Sequence, residues 1–226
     1  MAPRVRRHRR LLVILGAVVG VVILAVGGFL LAGTRRPAWY HPAPPDRARL
    51  HEDKAALAGL QEQISAALNA GREARFVLDE AQVNRWLAAR AEIWPQLALD
   101  LGPLEQPQIR LRDGRLEVAA SGRAGGMRVV GVLGCSVAVA EDTLVIRLDP
   151  LKVGALTAPR DWVSDILARP ATRRGVVIDR RAGTITLDND WVWPNGKRRC
   201  RLRELEIGDG VATVGLEPLR TGRRPE

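Results

Sequence analysis

The sequence predicts an α+β chain: an N-terminal transmembrane helix, then a curled, mainly antiparallel sheet packed with two or three helices. Three observations carry this. Leu11 to Gly33 is a run of 23 residues without a charge or a proline. Two later stretches, 46–70 and 79–94, repeat apolar residues at helical spacing. From Gln106 onward the apolar period becomes two.

At a helical rise the first stretch is about 34 Å long, against a hydrocarbon core of about 30 Å. Arg4, Arg6, Arg7, Arg9 and Arg10 precede it, and only Arg35 and Arg36 follow before the linker. That excess puts residues 1–10 in the cytoplasm and the bulk of the chain outside it, a single-pass cell-membrane protein. A cleaved signal peptide has the same charged start, but its apolar region is shorter and ends in a better cleavage site than Phe29-Leu30-Leu31-Ala32-Gly33-Thr34. Gly16, Gly20 and Gly27 share one helix face, and Gly16 to Gly20 is a G-x-x-x-G that permits a homodimer. Glycine is also simply frequent in membrane helices.

The net charge of +10 belongs mostly to this start. Seven of the 35 basic residues lie before residue 46, with no acid among them, so the rest carries 28 basic against 25 acidic residues. So mild a balance argues against a nucleic-acid partner. Residues 46–219 are long enough for one extracytoplasmic domain, followed by a loose tail at 220–226. Cys135 and Cys200 are the only cysteines. Outside the cytoplasm they can form a disulfide; two buried free thiols are the alternative.

Residues 34–45 are a linker stiffened by Pro37, Pro42, Pro44 and Pro45. Trp39 and Tyr40 lie where amphipathic aromatics favour the headgroup layer. Leu50, Leu57, Leu60, Ile64 and Leu68 predict a helix over 46–70, with Gly71 as its stop. A short strand is expected at 75–78. Asp79 is then an N-cap, and Gln82 completes a capping box. Val83, Leu87 and Ala91 make one face of that helix, with Trp86 and Trp94 at its edges, and Pro95 ends it.

Ile109 and Leu111, then Asp113-Gly114, then Leu116 and Val118 form a hairpin signal. Met127, Val129, Leu133, Cys135, Val137 and Val139 occupy one face of a long strand, with Arg128, Ser136 and Ala140 on the other. Glu141-Asp142 turns into a strand carrying Leu144, Ile146 and Leu148. Residues 150–154 leave the sheet, and 159–167 make another short helix. Strands follow at 176–179, 184–187, 199–207 and 211–216.

The stretch Phe76-Val77-Leu78-Asp79-Glu80-Ala81-Gln82-Val83-Asn84-Arg85-Trp86-Leu87 resembles the opening of small bacterial membrane-anchored envelope proteins, where a strand runs into (L/F)-T-E-x-E-(L/I)-N-x-x-L. Asp79 replaces the usual Thr and Gln82 the usual Glu, and both keep the capping chemistry. Leu148-Asp149-Pro150-Leu151-Lys152-Val153-Gly154 is similar to the exit from the long hairpin of such proteins. Some of them have a tubular lipid-binding (TULIP-like) domain, and many have no assigned function. The resemblance implies an apolar groove between sheet and helix, for which Val83, Trp86, Leu87, Leu133, Val137 and Ile146 are the candidates. It carries no catalytic residue.

Chemistry is otherwise sparse. The histidines are His8, His41 and His51, all at or before the first domain helix, so a histidine triad or a Cys/His metal site inside the domain lacks its parts. Asp188-Asn189-Asp190 lacks the spacing of a calcium loop. No P-loop or dinucleotide fingerprint is present. Trp191, Trp193, Arg198 and Arg199 lie in a stretch of tryptophans and arginines that suits an anionic membrane surface; a wet strand face is its ordinary reading. The expectation is a non-enzymatic domain without metal or cofactor. Its function is binding of a lipid or other apolar ligand or, alternatively, an envelope-complex scaffold.

Overall fold

In the computed structural model the described residues are 32–95, 104–124, 126–158, 176–179, 181–194 and 198–219. Most of the apolar run 11–33, with Gly16, Gly20 and Gly27, lies outside them, as do the expected helix at 159–167 and the tail.

Helix α1 spans Leu50–Asn69. Leu60, Ile64 and Leu68 recur at four-residue spacing and face the core. Gly71, at φ 69°, ends it: its N–H donates to Leu68 O and the Arg72 N–H to Ala67 O, the paired bonds of a left-handed glycine cap. Strand β1 (Ala74–Asp79) follows directly. Asp79 then caps helix α2 (Glu80–Ala88), accepting from the Gln82 N–H at 2.9 Å. The single helix expected over 79–94 breaks at Ala89 (φ −94°, ψ 19°) and resumes as the one-turn α3 (Arg90–Ile93).

The strands are β2 (Glu105–Arg112), β3 (Arg115–Ala124), β4 (Met127–Val139), β5 (Thr143–Leu148), β6 (Lys152–Val153), β7 (Leu156–Thr157), β8 (Val176–Asp179), β9 (Thr184–Asp188), β10 (Trp191–Val192), β11 (Arg199–Ile207) and β12 (Val211–Pro218). Every pairing among them is antiparallel. Arg112 faces Arg115 across Asp113-Gly114, both at positive φ (50° and 74°), the two-residue turn that the local sequence predicts.

The expected fold class is corrected here. The strands do not make one curled sheet under helices. They form two open sheets, an eight-stranded one ordered β2-β3-β4-β5-β9-β8 with the β6–β7 hairpin on β4, and a four-stranded one ordered β1-β12-β11-β10. Neither closes, helices are few, and among the described residues none is long and apolar enough to cross a membrane. The chain leaves the larger sheet at Asn189. There the side-chain amide donates to Ala140 O (2.9 Å) and Leu202 O (2.8 Å) and accepts from the Leu202 N–H (2.8 Å), tying the β4–β5 turn to β11. The last three strands therefore build on β1, from the start of the domain.

The main core lies between α1, the inner face of the four-stranded sheet and one end of the larger sheet. Ile64, Leu68, Ala74, Leu144, Cys200, Leu202 and Leu216 are its buried members. A second, smaller core differs from expectation. Val130 and Val132, on the Arg128 side of β4, are the buried pair, packed with Ala119 and Tyr40. The opposite face of β4, with Val129, Leu133 and Val137, is only half-buried. Apolar residues on both sides of this strand left its inner face ambiguous. Tyr40 is likewise not free for a headgroup layer, and Trp39 is half-buried. Tyr40 is 3% exposed and its hydroxyl donates to Gln106 O, while Arg110 stacks 5.0 Å from the Trp39 ring. The linker is thus strapped to the sheet.

Candidate functional site

The motif at the start of α2 is a clamp on a strand edge. β2 ends the eight-stranded sheet, so one side of its backbone has no strand partner among the described residues. Asn84 supplies one: its amide donates to Ile109 O at 2.9 Å and accepts from the Ile109 N–H at 2.7 Å. Glu80 accepts from the Leu111 N–H at 2.6 Å. Helical spacing places Glu80 and Asn84 one turn apart on one face, which matches alternate residues along a strand. On the α1 side, Arg85 pairs at 3.2 Å with Asp53, a nearly buried carboxylate. Trp86 is buried, edge-on to Trp94 at 6.4 Å. The residues that carry the family resemblance thus hold helix, strand and α1 together.

Beside this clamp a cleft of about 760 Å³ opens between the linker, α2 and the start of β2. Its apolar wall is Pro42, Pro44, Ala81 and Ala88, and its charged wall includes Arg85, Arg90, Glu105 and Arg128. Arg128 pairs with Glu105 at 2.8 Å. Arg90 donates to Leu87 O and, more weakly, to Leu104 O. None of the six groove candidates lines this cleft. Val83, Trp86 and Leu87 belong to α2, whereas Leu133, Val137 and Ile146 share one face of the larger sheet, through the pairs Val118–Leu133, Val137–Ile146 and Ile146–Ile185. That row is half-buried, with Val118 36% exposed.

The tryptophan–arginine stretch is mostly engaged within the fold. Trp193 turns inward and donates to Ser65 Oγ at 2.7 Å. Arg198 caps the last turn of α1 through Asn69 O. Arg199 is paired with Asp190, and Arg201 with Glu141 and Glu217. Those two carboxylates hold the Arg201 guanidinium above its ordinary range. Trp191 stays exposed, its indole N–H on Asp188 O.

Of the two alternatives for the cysteines, the structure has the free thiols, Cys200 buried and Cys135 half-buried. Cys200 is buried in the α1 core, whereas Cys135 sits mid-sheet between Leu116 and Leu148. Burial pushes both thiols up, helped by Asp149 at Cys135 and Asp190 at Cys200. Among the described residues no cluster of three His, Cys, Asp or Glu side chains is arranged for a metal. The roles of Asn84 and Asn189 were missed from sequence, because a lone asparagine carries no local sign of its distant partner.

No family model and no solved structure matches the chain. Over 162 residues, 68% of this chain, it is 24% identical to a protein of Ruegeria pomeroyi described as flagellar P-ring protein. The stretch covers 39% of that protein's length.

Proposed function

We propose that this chain is a non-enzymatic assembly module of the cell envelope, lying outside the cytoplasm and working by side-by-side contact with copies of itself. The observation that carries the reading is the likeness to a protein named for a flagellar ring, spread over 68% of the chain. The molecule's own build supports it. Its polar groups are spent on holding segments together: Asn84 and Glu80 on β2, Asn189 between the sheets, the arginines of β11 on carboxylates. Its two sheets end in edges rather than closing.

A second reading rests on the half-buried row of Leu133, Val137, Ile146 and Ile185, which gives an apolar ligand such as a lipid chain a surface to lie on. One experiment separates the two. Native mass spectrometry of the full chain in a mild detergent is expected to give multiples of the protomer mass that grow with concentration. A monomer at every concentration would remove the assembly reading, and a bound mass of lipid size would put the second in its place.

A further inference from the structure

β1 is the outermost strand of the four-stranded sheet and, among the described residues, pairs only with β12. The Glu80 N–H donates to Gly210 O at 2.8 Å, so the neighbouring Asp79–Val211 pair is of the wide kind, whose own peptide groups point away from each other. By alternation the N–H and C=O groups of Arg75 and Val77 face outward, away from β12, the one strand paired with β1 among the described residues. Val77, in the middle, is 60% exposed. Arg75 reaches across the sheet to Glu204 at 2.8 Å rather than guarding the edge. The strand holds no proline, lysine or bulge, the devices that blunt an edge against another strand.

We propose that the β1 edge is where a second copy of this chain docks, by adding one of its own edge strands. The inference rests on the assembly reading and names its surface. A second copy is the occupant because the same molecule presents a complement. Among the described residues β8 ends the larger sheet, pairs only with β9, and carries Val177 at 66% exposure. Two different edges on one molecule make a head-to-tail contact, the kind that repeats around a ring, and the similarity to a ring protein fits it. β10, at the other end of the smaller sheet, has only two residues and is too short to template a strand.

The test is sedimentation equilibrium of the full chain and three variants in mild detergent. Val77→Pro removes an outward N–H that the fold does not use, and Val77→Lys places a charge on the edge. Both are expected to raise the self-association constant, as a dissociation constant, by about ten-fold or more, while Val192→Lys on β10 leaves it unchanged. Circular dichroism melts at protomer concentration check the fold; if Val77→Pro melts early, Val77→Lys decides, since its side chain stands in solvent. Wild type associating with both Val77 variants unaffected would overturn the edge and leave the assembly reading standing. Weakening by Val192→Lys alone would also overturn it. Wild type that never associates would remove both.

Discussion

Asn189 is 1% exposed and carries no charge, yet its amide serves two segments of the other chain regions at once. Replacing it by alanine leaves Leu202 N–H and two carbonyls unpaired in a dry place, where each lost partner costs about 1–3 kcal/mol. We expect Asn189→Ala to lower unfolding free energy by about 3 kcal/mol or more, read from urea denaturation; a change under about 1 kcal/mol would mean that the sheets are held together elsewhere. The cysteines make a second prediction at this scale. Their pKa values are raised in the fold, chiefly by burial, so the unreactive thiol form is favoured. At pH 8 a thiol reagent is expected to modify Cys200 only as fast as the protein opens, and Cys135 more slowly than a free thiol. Below the ordinary thiol pKa both states are protonated and nothing is lost; above it the unfolded chain ionises first, so stability falls as pH rises towards the folded values. A Cys135→Ala, Cys200→Ala double variant is expected to lose less stability between pH 7 and 10 than wild type, and an equal loss would contradict the assignment.

At the scale of elements, what was legible in the sequence was local. The stop at Gly71, the cap at Asp79 and the Asp113-Gly114 turn each depend on a few adjacent residues, and each appears where the residues place it. What was not legible depends on distant partners. β1 pairs with β12, Ala74 facing Leu216, and no local pattern announces a partner so far along the chain. β6, β7 and β10 are two residues each, too short for a period to show. Asn84 belongs to the same class. Asn84→Ala is expected to cost about 2–4 kcal/mol, because it strips both backbone groups of Ile109 from a part-buried edge. Hydrogen exchange should then rise selectively in β2 over 105–112; uniform exchange across the sheet would show that α2 does not act as its edge partner.

For the whole molecule, the decisive difference from the sequence expectation is two open sheets in place of one curled sheet. A curled sheet hides its edges or brings them together. Two open sheets leave an edge at each end; β2 is clamped by α2 and β10 is short, while β1 and β8 carry Val77 and Val177, both more than half exposed. The candidate groove residues split accordingly, with three on α2 and three on the half-buried row of the larger sheet. Exposed apolar residues of the molecule therefore include two on its outer strands. The measurement that tests this most directly is the native mass spectrum of the full chain across a dilution series. Protomer multiples that dissociate on dilution and carry no small-molecule mass are expected. A monomer throughout, with a lipid-sized mass released by organic solvent, would contradict it.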